Sequence, residues 1–362
     1  VLNPGQALGS WIVEDSVHLG VPRTFRAHHV EVGTTALLKV APASKVTADS
    51  QDRELAALKH VVHPVLPQVL DFGVDPEAGV VWTAFAWADS REPLADKLMA
   101  GPLDWRAACR LFHELASALA TVHGEGIVHR DLRPTNVLVG PSGEATLAGF
   151  DFAMSQAELE RLAEAPFGDL AYLAPEVLRD PQHHGAKADV YAFGCLMYEA
   201  LTARAAFPAA AWGERPDQAI RMLDWKTRSE PLDPGDDAPE WLRSMVVKCT
   251  DPDPDRRLPD IEALVGWLDA AQPSWIGPRA KATPAPAPRI ETATPRPVMP
   301  APAIRGPRAP RVPPDRPPVT PEMRRVVPVP FQYFAAGAFG CLSALGFSSL
   351  LILFVEMRDG TF

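Results

Sequence analysis

The sequence predicts an α+β protein with a small β-rich N-terminal lobe and a larger helical lobe, followed by a disordered Pro-rich linker and one transmembrane helix. Three observations predict it. Strand-like runs crowd the first 85 or so residues, whereas amphipathic helical stretches dominate from there to about residue 272. Nearly a third of residues 273–330 are proline, a composition no packed core can use. Finally, Phe331 to Val355 holds no charged side chain over about 25 positions, enough for a helix to cross a bilayer.

The globular part is assigned to residues 10–272. Ala36-Leu37-Leu38-Lys39-Val40 and Val80-Val81-Trp82-Thr83-Ala84-Phe85 read as strands, and a helical stretch around Asp52 to His60 lies between them. Trp105 to His123 places Leu111, Leu115, Ala118, Leu119 and Val122 on one helical face and stops at Gly124. A strand pair, Val137-Leu138-Val139 and Ala145-Thr146-Leu147-Ala148, flanks the turn residues Gly140-Pro141-Ser142-Gly143.

The linker, 273–330, should have polyproline-II character and reach on the order of 150 Å when extended at about 3.1 Å per residue. The span is set at 331–355 and a short extracytoplasmic tail at 356–362. Arg324 and Arg325 precede the span, so the positive-inside rule puts the globular head in the cytoplasm of a single-pass inner-membrane protein. Small pairs such as Ala336/Gly340 would let two spans approach closely, the basis for a homodimer through this segment. The interval Trp11 to Val30 is broken by Glu14, Asp15, His18 and Arg23, so no signal peptide is read there.

The chain carries a net charge of -10, unevenly spread. The linker is basic and the head is correspondingly acidic, by roughly 16 charges, which argues against nucleic-acid binding by the head. The four cysteines are far apart with no CxxC spacing, fitting neither a zinc site nor a disulfide framework.

The most specific signal is His129-Arg130-Asp131-Leu132-Arg133-Pro134-Thr135-Asn136, which fills every fixed position of the pattern H-R-D-L-x-x-x-N. It follows a long amphipathic helix and precedes a strand pair. On these residues, 10–272 resembles the bacterial Hanks-type serine/threonine protein kinases, and the resemblance implies a bilobal protein-kinase fold. Transfer of a phosphoryl group needs positioning and charge neutralisation more than covalent work by the protein. The resemblance gives Asp131 the place of the base facing a substrate hydroxyl and Asn136 that of a magnesium ligand. It makes Lys39, with Glu54 holding it, the phosphate-binding pair, and Gly20 the surviving first glycine of the phosphate loop. Further landmarks agree: Ala174-Pro175-Glu176 closes the activation segment, Asp189 opens the central helix and should brace the catalytic loop, and Arg257 should meet Glu176.

The pattern breaks in informative places. The metal-binding Asp-Phe-Gly falls on Gly149-Phe150-Asp151, with the aspartate replaced by glycine. A shifted register, Asp151-Phe152-Ala153, would need two extra hairpin residues and puts Gly149 where an aliphatic belongs, so the first register is favoured. The phosphate loop from Leu19 to Ala27 keeps only Gly20, and Pro22 removes a backbone donor. Arg133 stands for the family's lysine and Asp169 for its threonine, which predicts an Arg133–Asp169 ion pair locking the segment.

The resemblance thus implies ATP and Mg2+ as cofactors, weakened, with protein substrates or signalling partners. Two readings stand. One is a membrane-anchored pseudokinase or scaffold with phosphotransfer impaired or lost. The other is an active atypical kinase, with Asp131 as base and Asp151 supplying a metal ligand.

Overall fold

The computed structural model describes residues 2–17, 23–59, 61–87, 91–159, 168–180, 185–208, 218–272 and 275. Gly20, Pro22, the linker beyond Trp275, the span and the tail lie outside the described residues. Among those described, no helix is long and apolar enough to cross a membrane.

The N-terminal lobe is built from β1 (Ala7–Leu8), β2 (Trp11–Val17), β3 (Thr24–His29) and β4 (Thr35–Pro42), then helix α1 (Lys45–Lys59), then β5 (Val69–Asp75) and β6 (Val80–Ala86). The strands form one antiparallel sheet in the order β1-β2-β3-β4-β6-β5. Side chains alternate across a strand. Ala36, Leu38 and Val40 of β4 therefore join Trp11, Val13 and Trp82 in one apolar cluster, while Leu37 joins the cluster shared with α1. The same period puts Lys39 on the α1 side, with Thr24 and Thr83 as its cross-strand neighbours. Helix α1 begins well before the expected Asp52, because Ser44 and Thr47 cap its first turn reciprocally: each backbone N–H meets the other's hydroxyl at 3.0 and 3.2 Å.

The chain then runs through β7 (Glu92–Pro93), α2 (Leu94–Leu98) and α3 (Trp105–Gly124). Asp104 caps α3 by accepting from the Arg106 and Ala107 N–H groups. Short strands follow: β8 (Ile127–Val128), β9 (Val137–Val139), β10 (Ala145–Leu147) and β11 (Met154–Ser155). β9 pairs antiparallel with β10 and β8 with β11, as the turn residues led one to expect for the first pair. Helices α4 (Gln156–Leu159), α5 (Pro175–Arg179), α6 (Ala186–Thr202), α7 (Gln218–Arg228), α8 (Glu240–Cys249) and α9 (Ile261–Ala270) complete the helical lobe.

Helix α6 is buried nearly all round, as a helix apolar on every face must be. One continuous cluster runs from Leu37 and Phe85 of the sheet through Leu58 to the inner faces of α3, α6, α8 and α9. Packing extends beyond residues 10–272 on both sides. Leu8 is fully buried, and Trp275 is 3% exposed, its indole N–H donating to the Leu268 carbonyl at 3.2 Å.

Candidate functional site

The loop between β8 and β9 is fixed from below by Asp189, in the first turn of α6. Its two oxygens accept from the His129 N–H at 2.8 Å and the Arg130 N–H at 2.9 Å, and one also meets His123 Nε2 at 2.8 Å. Asp189 is fully buried, so these donors replace its water. This is the brace expected from the sequence. It also holds Arg130 at φ +69°, a left-handed conformation that a non-glycine residue adopts at a cost.

Asp131 and Asn136 come together above this brace. Asn136 Nδ2 donates to the Asp131 backbone carbonyl and to Asp131 Oδ2, both at 2.7 Å. The Asp169 N–H approaches the other oxygen at 3.3 Å. Burial pushes the Asp131 carboxyl up to about 6, against the pull of Arg133 and the Asn136 hydrogen bond. A carboxylate held there is a better proton acceptor than an ordinary aspartate.

Lys39 and Glu54 form the expected pair, at 2.9 and 3.0 Å to the two Glu54 oxygens. Asp151 joins them unexpectedly. Its carboxylate oxygens lie 2.7 and 2.6 Å from Lys39 Nζ, its Oδ1 accepts from Ser50 Oγ at 3.0 Å, and its backbone carbonyl accepts from Arg53 Nε at 2.9 Å. Burial alone would lower the Lys39 pKa, but the two carboxylates outweigh it and hold the ammonium above its usual value. Burial would likewise raise Asp151, yet Lys39 and Ser50 keep it below the usual range. Glu54 goes the other way: burial pushes it up to about 7, with repulsion from Asp151 in the same direction.

The register of residues 149–151 is set by Phe150. It is fully buried and its ring lies 4.5 Å from the His129 ring, centre to centre. The His129 ring in turn donates through Nε2 to the Ala148 carbonyl at 3.0 Å. Gly149 therefore faces Asn136. It sits at φ +83°, and a Cβ placed on it would collide with the Asn136 side chain. It is Phe150 that lies against His129, while Phe152, the ring of the shifted register, lies half-buried.

The profile of the protein kinase domain matches residues 20–268. The chain belongs to the protein kinase domain family. Its relatives include CBL-interacting serine/threonine-protein kinase 20 of Arabidopsis thaliana, at 26% identity over 65% of this chain and 53% of the relative. Two bacterial relatives are serine/threonine-protein kinase pkn2 of Myxococcus xanthus, at 29% identity over 70% and 31% of the two chains, and serine/threonine-protein kinase PkaA of Streptomyces coelicolor, at 32% over 60% and 38%. The match thus spans about half or less of each of these relatives.

Protein kinase domains use ATP and Mg2+. A cleft of about 1240 Å3 beside Lys39 has Leu37, Phe85, Trp87, Leu138 and Ala148 along its apolar wall, which fits a flat heterocycle. The side chains nearest a metal position have other partners. A magnesium ion bound with a nucleotide draws on one or two carboxylates, the phosphates and water. Asn136 faces Gly149, which has no side chain to offer, Asp151 is engaged by Lys39, and Asp131 is engaged by Asn136. Among the described residues no group of three or more His, Cys, Asp or Glu could hold a metal ion.

The activation segment is held by two devices. Arg133 reaches Asp169 Oδ2 at 3.5 Å and Asp131 Oδ2 at the same distance, so the expected pair forms, long and about one third exposed. Sequence reasoning missed the second. Lys226 of α7 is fully buried, and its ammonium donates to the carbonyls of Leu170, Ala171 and Leu173 at 3.0, 2.7 and 2.6 Å. It also lies over the rings of Phe207 and Tyr191, at 4.6 and 5.2 Å. Burial pushes its pKa down to about 8. Three carbonyl acceptors nevertheless match the three hydrogens of the charged form, which a neutral amine would leave one short. The available signal was a lysine four residues after Met222, on what is otherwise the apolar face of α7. Arg257 meets Glu176 as expected, with Nη2–Oε2 at 2.7 Å.

Proposed function

We propose that this chain is a bacterial-type serine/threonine protein kinase-like signalling protein, a pseudokinase or scaffold whose phosphotransfer is impaired or lost. The observation that carries the reading is Gly149 opposite Asn136, in a register that Phe150 fixes against His129. Without a carboxylate there, the charge that develops on a transferring phosphoryl group has lost its main metal-mediated counterweight. The engagement of Lys39 by Asp151 weakens the ATP and Mg2+ site further.

The uncharged stretch Phe331–Val355, preceded by Arg324 and Arg325, supports a single-pass anchor in the inner membrane with the head in the cytoplasm. Its small residues are compatible with a homodimer through the span. Partners in this reading are signalling proteins or protein substrates at the membrane. The second reading, an active atypical kinase with Asp131 as base, is favoured by the intact Lys39–Glu54 and Asp131–Asn136 pairs.

Incorporation of label from γ-labelled ATP into the chain itself or a generic protein substrate separates the two. Impaired transfer predicts no more incorporation than Asp131→Asn, and a melting temperature that magnesium does not raise further in the presence of ATP. Magnesium-dependent incorporation abolished by Asp131→Asn and Lys39→Ala would establish the active kinase instead.

A further inference from the structure

The short run from Gly168 to Leu173 touches Asp131 at one end and helix α7 at the other. A Cβ on Gly168 would collide with the Asp131 carboxylate, and the Asp169 N–H approaches that carboxylate at 3.3 Å. The run then turns, with the Tyr172 N–H donating to the Asp169 carbonyl at 3.0 Å. The carbonyls of Leu170, Ala171 and Leu173 thereby converge on one point, which Lys226 Nζ occupies. Converging carbonyl dipoles repel one another, and buried acceptors left without donors are costly, so the turn needs a cation at its focus. The rings of Phe207 and Tyr191 close the cage around that point. Among the described residues no carboxylate is bonded to Lys226: Asp169 pairs with Arg133, and Glu176 with Arg257. A cage of neutral carbonyls and ring faces has the chemistry of a site for an ammonium or other monovalent cation. Here the chain supplies the occupant itself, on the end of a lysine arm.

We propose that this cage is a built ammonium site whose charge, rather than the bulk of Lys226, shapes the run, and that Lys226 is thereby a positioning residue for Asp131, setting the Asp169 N–H against its carboxylate. The proposal goes beyond the reading of phosphotransfer and holds whether or not transfer occurs. The run has other anchors, since the Tyr172 hydroxyl donates to Glu199 at 2.6 Å and Arg133 meets Asp169 at 3.5 Å. Neither of them supplies a donor to the three carbonyls. Helix α7 is therefore a handle on the candidate site: moving it withdraws the cation and releases residues 168–173 from Asp131.

Truncation with chemical rescue tests this in the full chain, in detergent at neutral pH. Lys226→Ala removes the arm beyond Cβ and leaves room for propylammonium, which is charged, or for propan-1-ol, which has nearly the same size and no charge. Hydrogen exchange at the Asp169 amide and proteolysis within residues 168–175 are the readouts, with exchange in α3 and α9 as the reference. The expected result is exchange and cleavage of the run at least about tenfold faster in the variant, with the reference helices little changed. Millimolar propylammonium should bring both readouts back to within about twofold of the native chain, and propanol should not. Equal rescue by propanol would show that volume alone shapes the run and would overturn the proposal. So would a folded variant whose Asp169 amide exchanges as in the native chain, one that neither compound restores, or one in which the reference helices loosen as much as the run. Should the variant fold poorly, its refolding yield in the two compounds reads the same contrast, and equal yields would overturn the proposal as well.

Discussion

Glu54 is only 4% exposed, and it must share the single positive charge of Lys39 with Asp151. The folded chain therefore keeps a proton on Glu54 up to about 7, whereas the unfolded chain releases it near 4.5. Between these values unfolding releases a proton, so rising pH favours the unfolded state. Thermal melts from pH 5 to 8 should show the native chain losing stability across this window. Glu54→Gln should remove about 1–3 kcal/mol of that loss, since each tenfold change in proton affinity is worth ~1.4 kcal/mol. Asp131, raised to about 6, adds a slope of the same sign that the variant retains. Gly149 makes a second prediction at this scale. With φ at +83° and Asn136 against the place of its missing Cβ, Gly149→Ala should cost about 1–2 kcal/mol in urea unfolding. The place of Gly149 opposite Asn136 could be read from the sequence, because the strand pattern of Ala145–Leu147 set the count. The grip of Asp151 on Lys39 could not, since the two lie 112 residues apart and a motif gives no direction to a side chain.

Helix α7 shows where pattern reading stops at the level of elements. Strands β4, β6, β9 and β10 and helix α3 were legible, because alternation and a 3.6-residue period depend on the apolar side chains that form the core. The early start of α1 was missed because a Ser–Thr cap weighs less in a pattern than an apolar stripe. The role of α7 was missed because a lysine there reads as a solvated charge, and only the carbonyls of Leu170, Ala171 and Leu173 make it otherwise. The two holds on the segment should differ in strength. Lys226→Met leaves buried acceptors without donors and should cost about 2–4 kcal/mol, with faster proteolysis near residues 168–175. Asp169→Thr breaks an ion pair at 3.5 Å that is partly open to water, and should move stability by less than about 1 kcal/mol. Urea unfolding and limited proteolysis of the two variants side by side measure the ranking, and the reverse order would show that the ion pair is the principal hold.

Across the molecule, the core reaches from Leu37 in the sheet to Trp275 beyond α9. The indole lies tilted against the His113 ring of α3, 5.7 Å centre to centre, and the Trp275 backbone carbonyl accepts from Arg110 Nη1 at 3.4 Å. A chain ended at residue 272 should therefore melt lower than one ended at 278, by the equivalent of about 2–4 kcal/mol for a lost large aromatic. Equal melting temperatures would show that Trp275 adds nothing to the fold. The same tryptophan sets the mechanics of the domain. Load applied at Trp275 falls first on α3 and α9, which its ring, carbonyl and indole N–H contact, since the sheet lies beyond them. Trp275 thus acts as a strain relief, taking load at the α3–α9 seam before the cleft.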